Sequence, residues 1–254
     1  MTDFRSSELW KYTLAARDND PFSSYRDNLR VAYESFWGRA TALARSISSD
    51  LPDLTLHDEA HLAALWDRAS QLTGPYYPIN PLEAFVFGGA LLLHDAGHAF
   101  AAYEGGLGEL KRTVEYRDAL AALQKAKDSG GGEGESENIE KTALFATLRR
   151  LHAKQAQALA VRLFQGKYLI DDSDLRENLG QVIGRIAASH HWDRIQLDEK
   201  LRPLVQGAPS FMPQQWSIDV LKIAYLLRCA DAIQIDQRRA PGVAFALHSP
   251  AETL

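Results

Sequence analysis

The chain has 254 residues, 46% of them hydrophobic and 24% charged, the balance of a soluble globular protein with a sizeable core. A formal charge of -5 leaves no general basic footprint for tight nonspecific nucleic-acid binding, and the single cysteine, Cys229, excludes an intrachain disulfide and a cysteine-based zinc knuckle. "MTDFRSSELWKY" lacks the apolar core of a signal peptide, and no run approaches membrane-spanning length, so a cytoplasmic protein without membrane attachment is expected.

The recurring period is helical. Leu29, Tyr33, Phe36, Ala40, Leu43 and Ile47 step by fours and threes and line one face of a first long helix. Pro52 and "PDLTLHD" interrupt, and a second helix is predicted over His57 to Leu72, capped by Thr55 or Asp58, with Leu62, Leu65, Trp66, Ala69 and Leu72 inward. The loop "TGPYYPINP" leads into "LEAFVFGGALLLHD", apolar almost all round and therefore a buried central helix. A mixed segment, helical in its second half, decays into the flexible Gly-rich stretch "DSGGGEGESEN", residues 128–138. Helices resume over Ile139 to Phe164, Asp172 to Ser189 and Ser217 to Ile235, with "LRPLVQGAPSFMPQQ" as a loop before the last. No alternating strand pattern of useful length and no internal repeat appears, so the fold class is all-α.

The central helix ends in "LLLHDAGHAF", which sets two histidines and an aspartate at the end of a buried element. Alone, His94 and Asp95 read as an ordinary helix terminus. Other histidines make the same choice of position: His57 and His61 four apart on one helical face, His152 beside the apolar stripe of its helix, and His190 with His191 closing "IGRIAASHHW". Asp231 lies in the apolar "AYLLRCADAIQI", where an unpaired carboxylate is costly to bury. Each has a bland alternative: a helix cap for His57, half-buried core rings for His61 and His152, a helix-end charge for His190 and His191, and an ion pair with Arg228 for Asp231. One metal centre accounts for all of them together, because imidazole and carboxylate drawn from several helices suit divalent first-row ions.

The order of these residues resembles the HD-domain superfamily of metal-dependent phosphohydrolases. The matching stretches are "LHDEAHLAAL", "LLLHDAGH", "LRRLHAKQAQALA", "IAASHHW" and "LLRCADAIQIDQRRAP", from His57 to Pro241. The histidines between the His-Asp pair and the last aspartate are similar to the two-metal branch that includes the HD-GYP proteins, although no "GYP" follows His191. The wording looks closest to HD domains of bacterial conflict systems, often fused to Hsp90-like ATPases.

The resemblance implies one HD domain over 1–254, a helical bundle with a dinuclear metal site: N-terminal helices in 1–50, an HD core in 51–241 and a tail in 242–254. It implies that His61, His94, Asp95 and Asp231 hold a first divalent ion. Asp95 would bridge to a second, completed by His152, His190 and His191, with His57 as an additional ligand. Iron, manganese, nickel or zinc are the expected ions, with magnesium as a substitute. His98 would face the substrate phosphate and supply the leaving-group proton, and Arg238 and Arg239 would hold the phosphate. The implied activity is hydrolysis of a nucleotide, cyclic nucleotide or oligonucleotide phosphoester through a metal-bridged hydroxide, and the implied partner is a fused or bound Hsp90-like ATPase. The same ligand order also fits two rivals, a di-iron oxygenase of the HD fold and a noncatalytic nucleotide-sensing or effector-control domain.

Overall fold

The computed structural model describes residues 3–51, 58–130 and 136–234. Those residues are all-α, with one two-stranded hairpin as the only sheet among them. None of their helices is long and apolar enough to cross a membrane.

After the short helix α1 (Glu8–Thr13), helix α2 (Ser23–Asp50) buries the whole expected stripe, Leu29, Tyr33, Phe36, Ala40, Leu43 and Ile47. Helix α3 (Glu59–Thr73) starts on Asp58, whose side chain accepts a hydrogen bond from the His61 backbone N–H at 2.9 Å. Its inner face holds Leu62, Leu65, Trp66 and Ala69 as expected, but it ends on the buried Thr73, and Leu72 points out with 44% of its surface exposed. The helical angle decides this: Leu72 lies about 300° beyond Ala69, nearly a full turn on, whereas Thr73 is the i+4 neighbour that returns to the same face.

Helix α4 (Pro81–Leu93) is the central rod, and every one of its residues is buried. Asn80 and Glu83 form a capping box around its first turn, and Pro81 occupies a position where its missing N–H costs nothing. Each fully buried leucine or phenylalanine along it contributes roughly 1.5–3 kcal/mol. That burial holds the polar His94 at the helix end, itself fully buried.

Beyond α4, a 3-10 turn over Ala96–His98 is followed by α5 (Gly106–Leu110), α6 (Val114–Gly130) and α7 (Ser136–Leu159). Residues 128–130 therefore continue α6 and 136–138 begin α7, so helix takes both ends of the expected Gly-rich loop, whose centre lies outside the described residues. Helix α7 also stops before Phe164. Strands β1 (Leu163–Phe164) and β2 (Lys167–Tyr168) pair antiparallel about Gln165 and Gly166, both with positive φ (47° and 75°), the two-residue turn that suits strand twist.

Helix α8 (Ser173–Ser189) packs on α4 and α7, and α9 (Arg194–Leu201) follows from a second capping box, Asp193 with Gln196. The final described helix, α10 (Val220–Ala232), is locked to the start of α4 by a buried tie. Glu83 accepts from Lys222 Nζ at 2.8 Å and from the Asp219 backbone N–H at 3.0 Å, while Asn80 Nδ2 donates to the Ser217 carbonyl at 2.7 Å. With their N-termini pinned together and 13 residues each, α4 and α10 run side by side for about 20 Å and finish together. That equal reach brings His94 and Asp231 to one place.

Candidate metal centre

Five helices deliver polar side chains to the end of the bundle where α4 stops. His61 comes from the first turn of α3, His94 and Asp95 from the end of α4, His98 from the 3-10 turn, His152 from α7, His190 and His191 from the end of α8, and Asp231 from α10. Donor atoms of His61, His94 and Asp231 lie within 4.8 Å of one another, and so do those of Asp95, His98 and His152. Asp95 faces both groups. Its Oδ2 stands 3.1 Å from His94 Nε2, while its Oδ1 stands 3.5 Å from His190 Nε2, 3.9 Å from His98 Nε2 and 4.0 Å from His152 Nε2. His94 Nε2 is also 3.9 Å from Asp231 Oδ1. The ring of His191 packs edge-on 4.7 Å from that of His152.

The backbone sets which nitrogen each ring presents. A carbonyl oxygen can only accept, so Nδ1 carries the proton wherever it meets one. His94 Nδ1 donates to Leu91 O at 2.7 Å, His152 Nδ1 to Arg149 O at 3.0 Å, and His190 Nδ1 to Ala187 O at 2.6 Å. All three rings therefore turn Nε2 inward, the arrangement in which a second hydrogen bond orients a metal-binding imidazole. His152 Nε2 and His190 Nε2 stand only 3.0 Å apart, and neither can offer the other a proton without taking up an extra one. Two nitrogens bound to one ion at about 2.0–2.1 Å stand about 2.8–3.4 Å apart at ligand angles between square and tetrahedral. A shared proton would relieve the pair alone, whereas a metal ion also accounts for the carboxylates and rings gathered around it. The donor set, imidazole and carboxylate with no thiolate, fits a divalent first-row ion.

The "HDAGH" turn is seated on α7 by a backbone contact. A Cβ on Gly97 would lie 2.3 Å from the His152 carbonyl oxygen and 2.7 Å from its Cα, so only glycine lets the segment carrying Asp95 and His98 approach the backbone of His152. Tyr103 Oη donates to Gly97 O at 3.0 Å, and the Gln155 side-chain amide donates to Ala102 O, clamping the turn from both sides. At the other edge, one guanidinium nitrogen of Arg228 reaches the carbonyls of Ser189, His190 and Trp192. Arg228 thus satisfies the orphan carbonyls at the end of α8 and holds the His190–His191 turn against α10.

The cluster is electrostatically divided. Burial disfavours the charged His94 ring, but the Asp95 carboxylate, by charge and hydrogen bond, and then Asp231 outweigh it and push His94 up to about 9. Burial, then repulsion from His98, holds His152 down to about 3, and burial with His190 lowers His191. Carboxylates outweigh burial at His94, whereas burial and neighbouring rings prevail at His152 and His191.

The structure thus brings together His61, His94, Asp95, His98, His152, His190, His191 and Asp231. His98 is buried with its ring stacked on His152 at 4.1 Å and 16°, which sets it among the donor atoms. The family resemblance places this residue, one turn beyond His94, beside the substrate phosphate, and its Nε2 stands 3.9 Å from Asp95 Oδ1. His57, Arg238 and Arg239 lie outside the described residues. Sequence reading missed Gly97, and Arg228 as the anchor of the His190–His191 turn, and neither carries a local signal. Asp58, one of the two caps expected for α3, is the one that seats His61.

A sequence model of the HD-CE family matches residues 51–254. No curated protein and no solved structure gives a match.

Proposed function

The chain belongs to the HD-CE family, and from that premise we propose that it is a metal-dependent phosphohydrolase acting on a nucleotide, cyclic nucleotide or oligonucleotide. The observation that carries this reading is Asp95, one carboxylate with Oδ2 beside the first group of donors and Oδ1 beside the second. A carboxylate so placed would hold two cations close together, and His61, His94 and Asp231 would serve one while His152, His190 and His191 would serve the other. Bound there, divalent ions would supply an acidified water and screening of phosphoryl charge. The inward-facing Nε2 atoms of His94, His152 and His190 are prepared for that cargo by their Nδ1 hydrogen bonds, so little reorganisation is required. His98, with Nε2 near Asp95 Oδ1, is assigned to protonating the leaving oxygen, and Arg238 and Arg239 to gripping the phosphate. A cytoplasmic setting and a fused or bound Hsp90-like ATPase belong to the same proposal.

The test is hydrolysis by manganese-loaded and chelator-stripped protein against nucleoside mono- and triphosphates, cyclic nucleotides and short oligonucleotides, read by chromatography and phosphate release. Metal-dependent turnover of one class is expected. Turnover of none of them by metal-loaded protein rejects the hydrolase reading.

A further inference from the structure

The histidine cluster is closed on most sides. His61, His94, His98 and His152 are buried, and the exposed member is His191, at the turn after α8. The ring of His191 packs 4.7 Å from that of His152, so the His191 edge borders the face of α7 that bears His152. Along that face Phe145, Arg149 and His152 follow at spacings of four and three, so the three side chains stack on neighbouring turns. Arg149 is exposed, and its guanidinium carbon lies 5.8 Å from the centre of the Phe145 ring, which supports the long side chain along the helix. Its backbone carbonyl is the one that receives the His152 Nδ1 proton.

The charge state of this arginine matters as much as its place. Three other basic residues near the turn are engaged, Arg228 with three carbonyls, Lys200 over the Trp192 ring at 4.4 Å, and Arg202 with Asp198 at 2.9 Å, while Arg194 is exposed at the start of α9. Arg149 has no carboxylate partner among the described residues. Its charge falls on His191, where it adds to burial and His190 in disfavouring a protonated ring. An exposed guanidinium one helical turn before His152, whose ring packs 4.7 Å from that of His191, makes that edge receptive to an anion. The alternative is an arginine that is simply solvated, as Arg150 next to it is, also exposed but one helical step (about 100°) round the helix.

Resting on the hydrolase reading, we propose that Arg149 is a substrate-positioning residue that binds a phosphoryl group of the incoming phosphoester at the His191 edge of the cluster. A planar fork of donors matches two phosphoryl oxygens at once, which an ammonium group cannot do. The ligand class is a phosphate monoester or phosphoanhydride, bound by charge and hydrogen bonds and without base recognition at this residue.

The experiment is calorimetric titration of inorganic phosphate into the manganese-loaded full chain, for wild type, R149A, R149K and R150A, with metal content measured on each sample. R149A is expected to weaken phosphate binding by roughly 10- to 100-fold, the loss of a charge-assisted hydrogen bond, with metal content unchanged. R149K is expected to fall between R149A and wild type, and R150A to stay within about twofold of wild type, since it loses the same charge from a different direction. Phosphate binding by R149A equal to wild type or to R150A overturns the role of Arg149 and leaves the hydrolase reading standing. Loss of metal from R149A also overturns it, by making Arg149 part of the scaffold. Failure of metal-loaded wild type to bind phosphate counts instead against the hydrolase reading, and this inference falls with it.

Discussion

Gly97→Ala is the smallest change that tests how the centre is assembled. The added methyl would sit 2.3 Å from the carbonyl oxygen, 2.7 Å from Cα and 2.8 Å from the carbonyl carbon of His152. All three atoms are backbone, so no side chain can swing aside. Restoring an ordinary contact separation requires the turn and α7 to part by about 1 Å. Metal ligation tolerates errors of about 0.2 Å, so a displacement of that size separates Asp95 and His98 from His152 as a working donor set. Overpacking of this kind costs about 1–3 kcal/mol, and each kcal/mol lowers the melting temperature of a domain this size by roughly 2–4 °C. Elemental analysis and thermal unfolding of chelator-treated protein read the two effects separately. Gly38→Ala is the control, an exposed position in α2 with nothing within 4 Å of the added Cβ, and it should stabilise by about 0.5–1 kcal/mol. A Gly97→Ala protein with wild-type metal content and stability within about 0.5 kcal/mol would refute the close approach of the turn to His152.

Three further outcomes are expected. Glu83→Gln keeps the shape of the capping residue but leaves Lys222 without its buried anion, so chemical denaturation should show a loss of about 3 kcal/mol, and a loss under about 1 kcal/mol would contradict the tie between α4 and α10. In chelated protein His94 should titrate near pH 9 by NMR, against an ordinary value of 6.5. Its contribution to stability is then fully present below pH 6.5 and lost as pH rises through about 9, and a midpoint at or below 6.5 would contradict the Asp95 and Asp231 contacts. Asp95→Asn should stay folded and helical but lose metal stoichiometry and nearly all turnover, while His98→Ala should keep its metal and slow by roughly a hundredfold or more. Metal loss from His98→Ala would move that ring into the ligand set.

The parts of this structure that were legible in the sequence are those with a local physical cause. The near-continuous apolar run of α4 announces a buried helix, and the fours and threes of α2 announce its inner face. The polar residues at the end of α4 stand out because burying them needs a reason. The hairpin at 163–168 was hidden because its signal is two residues, Gln165 and Gly166, against an apolar pattern that helix also satisfies. Helix α9 is eight residues long and is announced only by the Asp193–Gln196 box. The contacts that hold the site in register were not readable at all. Gly97 against His152, Glu83 with Lys222 and Arg228 with the end of α8 join residues 39 to 139 positions apart, and no local pattern encodes such a meeting.

The converging histidines and carboxylates have the donor chemistry of a divalent metal centre. Elemental analysis of the full chain, purified without chelator, tests it most directly when wild type is compared with His94→Ala and Asp231→Ala. Wild type is expected to carry between one and two equivalents of a transition ion, most of it lost in both variants while their helical circular dichroism persists. Wild-type protein that takes up no divalent ion, or variants that retain the full wild-type content, would contradict it.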